Sequence, residues 1–470
     1  VSGACTAPDA GSTDAGSTDG GAAHDAATPT DASSPTDASS ASLPGTQVVQ
    51  GNDLDPWTTS SDGYLAYFDH AAAELRAVSL SGGASQLITN SAGSNFYVLS
   101  SNEVIFAWTN VDGTGTGTLL SWTARDGVHT LSTASYAGEA YGDPTSQYIV
   151  YETHAGAAAG TSTIMGSQAD GTSSLMLATG SVLISGTAGS YALISNDAAD
   201  EDGGPVLPNL SSVVFGTWSA VPLGPFYPVD YSSANGQVLG LSGADWSLDL
   251  FPIGGGSGVT IDSSATWGFL SPDGTNVVYN KTSTSDAGTF TELLKSPTAS
   301  PAPVLLSSEA ASLYTMSPNG QFVLLTGPTN TGLFLASSTI AAGPTTLFSG
   351  EVYQPYFTTD SSYAVFQSAE TNGIGTLSAY PTSGTGGIVT LGSGVQFWGT
   401  GLGGRVLFND NVSTWTDVEL ANLAHPTAAP TKLVSQVHSA WLLTPSLNQL
   451  IYSSSVTLGA QAGIYLVSVP

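Results

Sequence analysis

The chain has 470 residues, with 36 carboxylates against six Lys and Arg and a formal charge of −30 at neutral pH. The six cations (Arg76, Arg125, Lys281, Lys295, Arg405 and Lys432) are scattered, which excludes the clustered basic surface that tracks nucleic-acid phosphates or anionic lipid headgroups. Cys5 is the lone cysteine, so no internal disulfide and no cysteine-based zinc site can form, and no apolar run approaches the ~20 residues of a membrane-spanning helix.

Prolines aside, Leu43 is the one hydrophobic side chain larger than alanine in residues 6–44, so almost nothing there can offset the entropy of ordering. Their Ser, Thr, Ala, Asp and Gly content is that of a flexible spacer. Residues 1–44 therefore read as a tether and 45–470 as the folded part. Cys5 stands immediately before the spacer, in VSGAC. This arrangement resembles a bacterial lipoprotein, with a tether similar to those of myxobacterial-type surface lipoproteins. The resemblance implies lipidation at Cys5, a lipid anchor, and a place on the outer membrane or outside the cell.

From Gly45 onward the chain repeats. The clearest copies are WTTSSDGYLAYFDH (57–70), YSSANGQVLGLSG (231–243), FLSPDGTNVVYNKT (269–282), YTMSPNGQFVLLTGP (314–328) and FTTDSSYAVFQSAE (357–370). Each is a Ser/Thr-rich tight turn followed by a strand-forming run, and Asn-Gly or Asp-Gly at such a turn tolerates positive φ. With weaker copies included, the turn glycine or its equivalent falls at positions 63, 102, 146, 189, 236, 274, 320, 361, 403 and 447. The mean spacing is about 43 residues, as expected of a four-stranded propeller blade. Each repeat has a second hairpin-like half, such as LRAVSLSGGASQLIT (75–89), and no stretch carries a sustained helical period.

These motifs resemble the TolB-like (WD40-like) β-propeller repeat, which implies a propeller fold and an envelope or secreted setting but no particular activity. The expected fold is all-β: a β-propeller of about ten four-stranded repeats. The last repeat has three strands of its own, and Gln47–Gln50 is expected to supply the fourth, closing the ring and covering two sheet edges. Two smaller rings or eight blades are the alternatives.

An aromatic residue precedes nearly every turn, on the strand that would be innermost: Trp57, Phe96, Tyr141, Tyr231, Phe269, Tyr314, Tyr356, Phe397 or Trp398, and Trp441. Inter-blade packing explains such a period; a stacking platform for sugars is the sharper alternative. The fourth repeat has Leu183 and Ile184 instead. Longer loops, including 110–118, 196–209, 282–290 and 410–417, should gather at one end, where a rigid scaffold places binding sites. Asp197, Asp200, Glu201 and Asp202 form the densest carboxylate group, whose oxygens suit Ca²⁺ or simply a solvated loop. Asp230 and Asp245 are carboxylates on or near an inner strand, and His70 and His154 both follow the second strand of a repeat. No Gly-x-Ser-x-Gly elbow, His-Glu-x-x-His or sialidase-type Asp box occurs. The balance favours a non-enzymatic binding or scaffold protein taking a protein or polysaccharide ligand. A secreted polysaccharide lyase or glycosidase is the alternative.

Overall fold

The chain divides into two units, Val1–Leu43 and Pro44–Pro470. The computed structural model describes residues 45–90, 96–137, 139–153, 162–180, 182–196, 207–232, 234–243, 246–285, 288–308, 312–327, 331–340, 343–400, 403–410, 416–437, 441–444, 446–454 and 462–469. Regular structure in them is all β, and no helix among them is long and apolar enough to cross a membrane.

Five separate four-stranded antiparallel sheets are joined by one of seven strands and one of ten. In the larger two, the long strands Ala220–Ser232, Thr345–Phe357 and Val389–Thr400 serve as the fourth strand of one unit and the first of the next. The repeating unit is thus a four-stranded meander, and ten occur in chain order, numbered here sheets 1 to 10. Their first strands are Leu54–Thr59, Tyr97–Ser101, Ala140–Gly142, Val182–Ala188, the second half of Ala220–Ser232, Ala265–Leu270, Ser312–Met316, the second halves of Thr345–Phe357 and Val389–Thr400, and Trp441–Leu443.

The turn between first and second strands explains the sequence motif. All ten positions marked in the sequence, from Gly63 to Leu447, take left-handed φ between 55 and 84°. Four are not glycine: Asn102, Ser146, Ser361 and Leu447. The hydroxyls of Ser60, Ser271, Ser317 and Thr358 are buried at the turn's start. Each accepts the backbone N–H that opens the second strand, from Tyr64, Asn276, Phe322 and Tyr363, at 3.0–3.2 Å. Each also donates to the Asp or Asn two residues on. In sheet 3 Asp143 takes this place and accepts the N–H groups of Gln147 and Tyr148, both at 2.9 Å.

Second strands read as continuous apolar runs because both of their faces are covered. Val104–Thr109 is buried at every position. Alternation sends successive side chains to opposite neighbours: Val277 and Tyr279 join the core shared with sheet 5, while Val278 joins the core shared with sheet 7. Each described core cluster lies between two consecutive sheets or between sheets 10 and 1, where Val48, Ile451 and Ile464 meet Leu54, Leu65, Tyr67 and Val78.

Sheet 10 is completed as expected: Thr46–Gln50 pairs antiparallel with Gly463–Ser468, outside Gln449–Ser454 and Trp441–Leu443. In all ten sheets the register slips between third and fourth strands. Such bulges twist an edge strand away from stray pairing. One expected loop is mostly strand: Asn276–Ser285 and Gly288–Pro297 pair out to Ser285 and Gly288. Thr282, Thr284, Thr289 and Phe290, β-branched or aromatic, prolong the hairpin there.

Candidate functional site

Antiparallel order sorts the connections by end. Turns between first and second strands and between third and fourth lie at one end; connections between second and third lie at the other, here the loop end. First strands of successive sheets lie beside one another from sheet 1 through sheet 8, and that of sheet 1 also touches that of sheet 10.

The aromatics of these first strands are not simply core. Trp57, Tyr97, Tyr231, Trp267, Tyr314 and Tyr356 keep between 38 and 46% of their surface in water. A register slip recurs on first strands and leaves Trp57, Tyr314 and Trp398 without a cross-strand partner; a bulge re-aims such a side chain. Other aromatics on these strands pack inward. Phe96 contacts Trp57 and Phe68, with ring centroids at 5.0 and 4.6 Å, and Phe397 is buried. In sheets 2 and 6 the exposed ring is Tyr97 or Trp267, neighbours of the expected Phe96 and Phe269. The structure describes only the backbone of Trp398 and Trp441.

Tyr141 is partly buried and its hydroxyl is pushed up to about 12, first by burial, then by Glu139 and the hydroxyls of Tyr231 and Tyr97. Groups from sheets 2, 3 and 5 thus converge. The first strand of sheet 4, Val182–Ala188, carries no aromatic between them. Glu139 stands two residues before Tyr141, immediately ahead of the strand Ala140–Gly142. Burial, and secondarily Glu152, pushes its carboxyl up to about 7. Glu152 donates its backbone N–H to the Glu139 carbonyl at 3.0 Å, and its own buried carboxylate accepts the Ser162 hydroxyl. This carboxyl is absent from the candidates chosen by sequence; its spacing to Tyr141 is the signal that could have found it.

Asp230 ties sheets together. Its Oδ1 accepts the Tyr231 N–H and its Oδ2 the Leu270 N–H of sheet 6, both at 2.8 Å. Burial nevertheless raises its pKa. His70 Nε2 lies 2.7 Å from Asp55 Oδ2, with its ring edge-on to Phe68. Cys5, His154, Asp197, Asp200, Glu201, Asp202 and Asp245 lie outside the described residues. Among the described residues no three His, Cys, Asp or Glu side chains gather as a metal site would need. At the turn end a polar cleft of about 310 Å³ between sheets 10 and 1 is lined by Ser60, Asp62, Ser79, Ser81, Thr444 and Ser446, among others.

No protein-family model matches the chain, and no curated protein matches it. Among solved structures it is similar to a eukaryotic initiation factor (10% identity over 75% of this chain and 94% of the other, TM-score 0.48). It is also similar to an oligogalacturonate lyase from Vibrio parahaemolyticus (14% identity, 60% and 87% covered, TM-score 0.34). A third likeness is to a TolB from Agrobacterium tumefaciens (15% identity, 57% and 100% covered, TM-score 0.29).

Proposed function

We propose that the ten sheets close into one propeller of the TolB-like kind and that the protein is a non-enzymatic binding or scaffold module, taking a protein or polysaccharide ligand at its loop end. The packing of sheet 10 on sheet 1 supports closure. The observation that carries the binding reading is the set of half-exposed aromatics on the first strands of sheets 1, 2, 5, 6, 7 and 8. Large rings left partly in water on one strand of unit after unit suit an interaction surface better than a core. Display on a bacterial envelope, through the 6–44 spacer and a lipid on Cys5, completes this reading. Incorporation of labelled fatty acid, lost in Cys5→Ser, is its test.

The test of binding is retention of the full chain on immobilised polysaccharides and proteins, with released sugar assayed in the same tubes. Retention without release is the expected result; no retention on any surface contradicts it. A carbohydrate-active enzyme is the second reading, favoured by one observation: Glu139 at about 7 is poised to exchange a proton near neutral pH. In that case sugar is released, and Glu139→Gln abolishes the release.

A further inference from the structure

Two carboxylates stand opposite one another at the loop end of sheet 3. The first strand, Ala140–Gly142, pairs with Tyr148–Thr153 through Ala140 with Tyr151, Tyr141 with Val150 and Gly142 with Ile149. One step further in that register Glu139 comes opposite Glu152, whose backbone N–H donates to the Glu139 carbonyl at 3.0 Å. Like charges directly opposite across a ladder repel. Glu152 keeps only 3% of its surface in water, so solvent screens that repulsion poorly. Among the described residues Glu152 is the charge that acts on Glu139, and no Lys, Arg or His does. The Ser162 hydroxyl, which donates to Glu152, is neutral. Two carboxyls so placed ionise one at a time, and the pair keeps a proton.

The other titratable groups around sheet 3 supply Glu139 with no counter-charge. Tyr141, next but one along the chain, faces Tyr97 of sheet 2 and Tyr231 of sheet 5. Tyr148 and Tyr151 share the strand of Glu152, and the Tyr151 hydroxyl donates to the Leu131 carbonyl at 3.2 Å. The fourth strand of sheet 2 carries His129 and Tyr136, and His129 Nε2 lies 3.0 Å from the Asp126 carbonyl, at the turn end. Ser162–Gln168 and the first strand of sheet 4, Val182–Ala188, carry no titratable side chain.

The first strand is held unevenly. Three pairs join it to the second strand, against five in sheets 1 and 2, whereas the second strand is held on its other side by six. Its turn end is fastened to sheet 2. Ser101 Oγ accepts the Gly142 N–H at 3.0 Å, and Asn102 Nδ2 donates to the Gly142 and Asp143 carbonyls at 3.2 and 2.9 Å. At the loop end the ladder finishes with the bond from Glu152 to Glu139, between the two carboxylates. We propose that Glu139 and Glu152 form a proton-dependent clasp: sharing a proton, they keep the loop end of this first strand closed, and once the proton passes to solvent they let that end part from the second strand, with Gly142 as the fixed point. Tyr141 moves with the strand, so the aromatic surface it forms with Tyr97 and Tyr231 changes with pH. The proposal does not depend on what that surface binds.

The closed strand holds its proton up to about pH 7, and the opened strand only to the ordinary carboxyl value of 4.5. Opening therefore grows easier as pH rises from 4.5 to 7, and no further above that. Hydrogen exchange of the full chain tests this at pH 5 and pH 8, read by mass spectrometry in peptides spanning 139–153. Exchange times are kept short, where local opening dominates, and rates are corrected for the intrinsic effect of pH. Protection of this hairpin should fall roughly five- to thirty-fold between the two pH values. Ser312–Met316 of sheet 7, a first strand without a carboxylate, should keep its protection, and Glu139→Gln should remove the fall. Unchanged protection in the parent, as a carboxyl that merely swings into water would give, overturns the proposal. An equal fall in parent and Glu139→Gln, or in the sheet 7 strand, overturns it too. Should Glu139→Gln fail to fold, Glu152→Gln serves with the same expectation, and the parent's own exchange still decides.

Discussion

Replacing Glu139 by glutamine should change how stability depends on pH. The Glu139 carboxyl moves from 4.5 to about 7, through burial first and the opposing Glu152 second. A displacement of that size corresponds to about 3 kcal/mol at full effect, and partial solvent access reduces it to about 1–2 kcal/mol. The sign follows from proton binding. Between pH 4.5 and 7 the folded chain holds this proton and the unfolded chain does not, so stability falls as pH rises through that window. Below it both states are protonated, and above it both are ionised. Other carboxyls act in the opposite sense. Asp126, held down by Arg125, and Asp273, held down by the Ser271 hydroxyl, favour folding once ionised. The comparison must therefore be between parent and variant at each pH. Urea unfolding at pH 5 and pH 8 is the assay, with slopes compared before midpoints. Glu139→Gln should be more stable than the parent at pH 8 by about 1–2 kcal/mol, with a clearly smaller gain at pH 5. An equal effect at both pH values would refute the reasoning.

Three further predictions concern the fold. Leu447→Gly relieves a bulky side chain at φ 55° and should raise stability by about 1 kcal/mol, read as a higher thermal midpoint; an unchanged or lower midpoint counts against strain at that turn. Gly240→Ala places a Cβ 2.1 Å from the Phe226 ring, itself stacked on Phe251 at 4.0 Å, and should cost roughly 1–3 kcal/mol; parent-like urea unfolding would mean that these rings have room to move. Ser271→Ala leaves the Asn276 N–H without its acceptor at 3.0 Å and should cost roughly 1–3 kcal/mol, whereas Ser271→Thr should retain most of the stability; equal loss in both would argue against the hydroxyl.

Much of this fold could be read from single residues because its determinants are local. A tight turn needs a left-handed residue, and each position from Gly63 to Leu447 chosen for that reason has one. That includes Asn102 and Ser361, where no glycine marks the turn. The fourth strand of sheet 10 was legible for a similar reason: Gln47–Gln50 resembles the fourth strands QLIT (86–89) and TKLV (431–434), and the last repeat has only three strands of its own. The candidate site was less legible because exposure is a tertiary property. Phe96 and Tyr97 are adjacent and both aromatic, yet Phe96 packs on Phe68 while Tyr97 faces water. Trp267 and Phe269 lie on the same strand, and the expected platform residue was the Phe, which packs on the core shared with sheet 7. Glu139 acquires its character first from burial and then from Glu152 on the adjacent strand, both set by tertiary packing. The 282–290 segment has the polar composition of a loop but also the β-branched residues of a strand, and pairing with its own return strand decided between them.

The proposed closure of the ten sheets into one ring underlies every reading of the first strands as one shared surface. Single-particle electron microscopy of the full chain tests it most directly, through averages viewed end-on. One closed ring with ten spokes is the expected image. An open arc, or two separate rings, would contradict it.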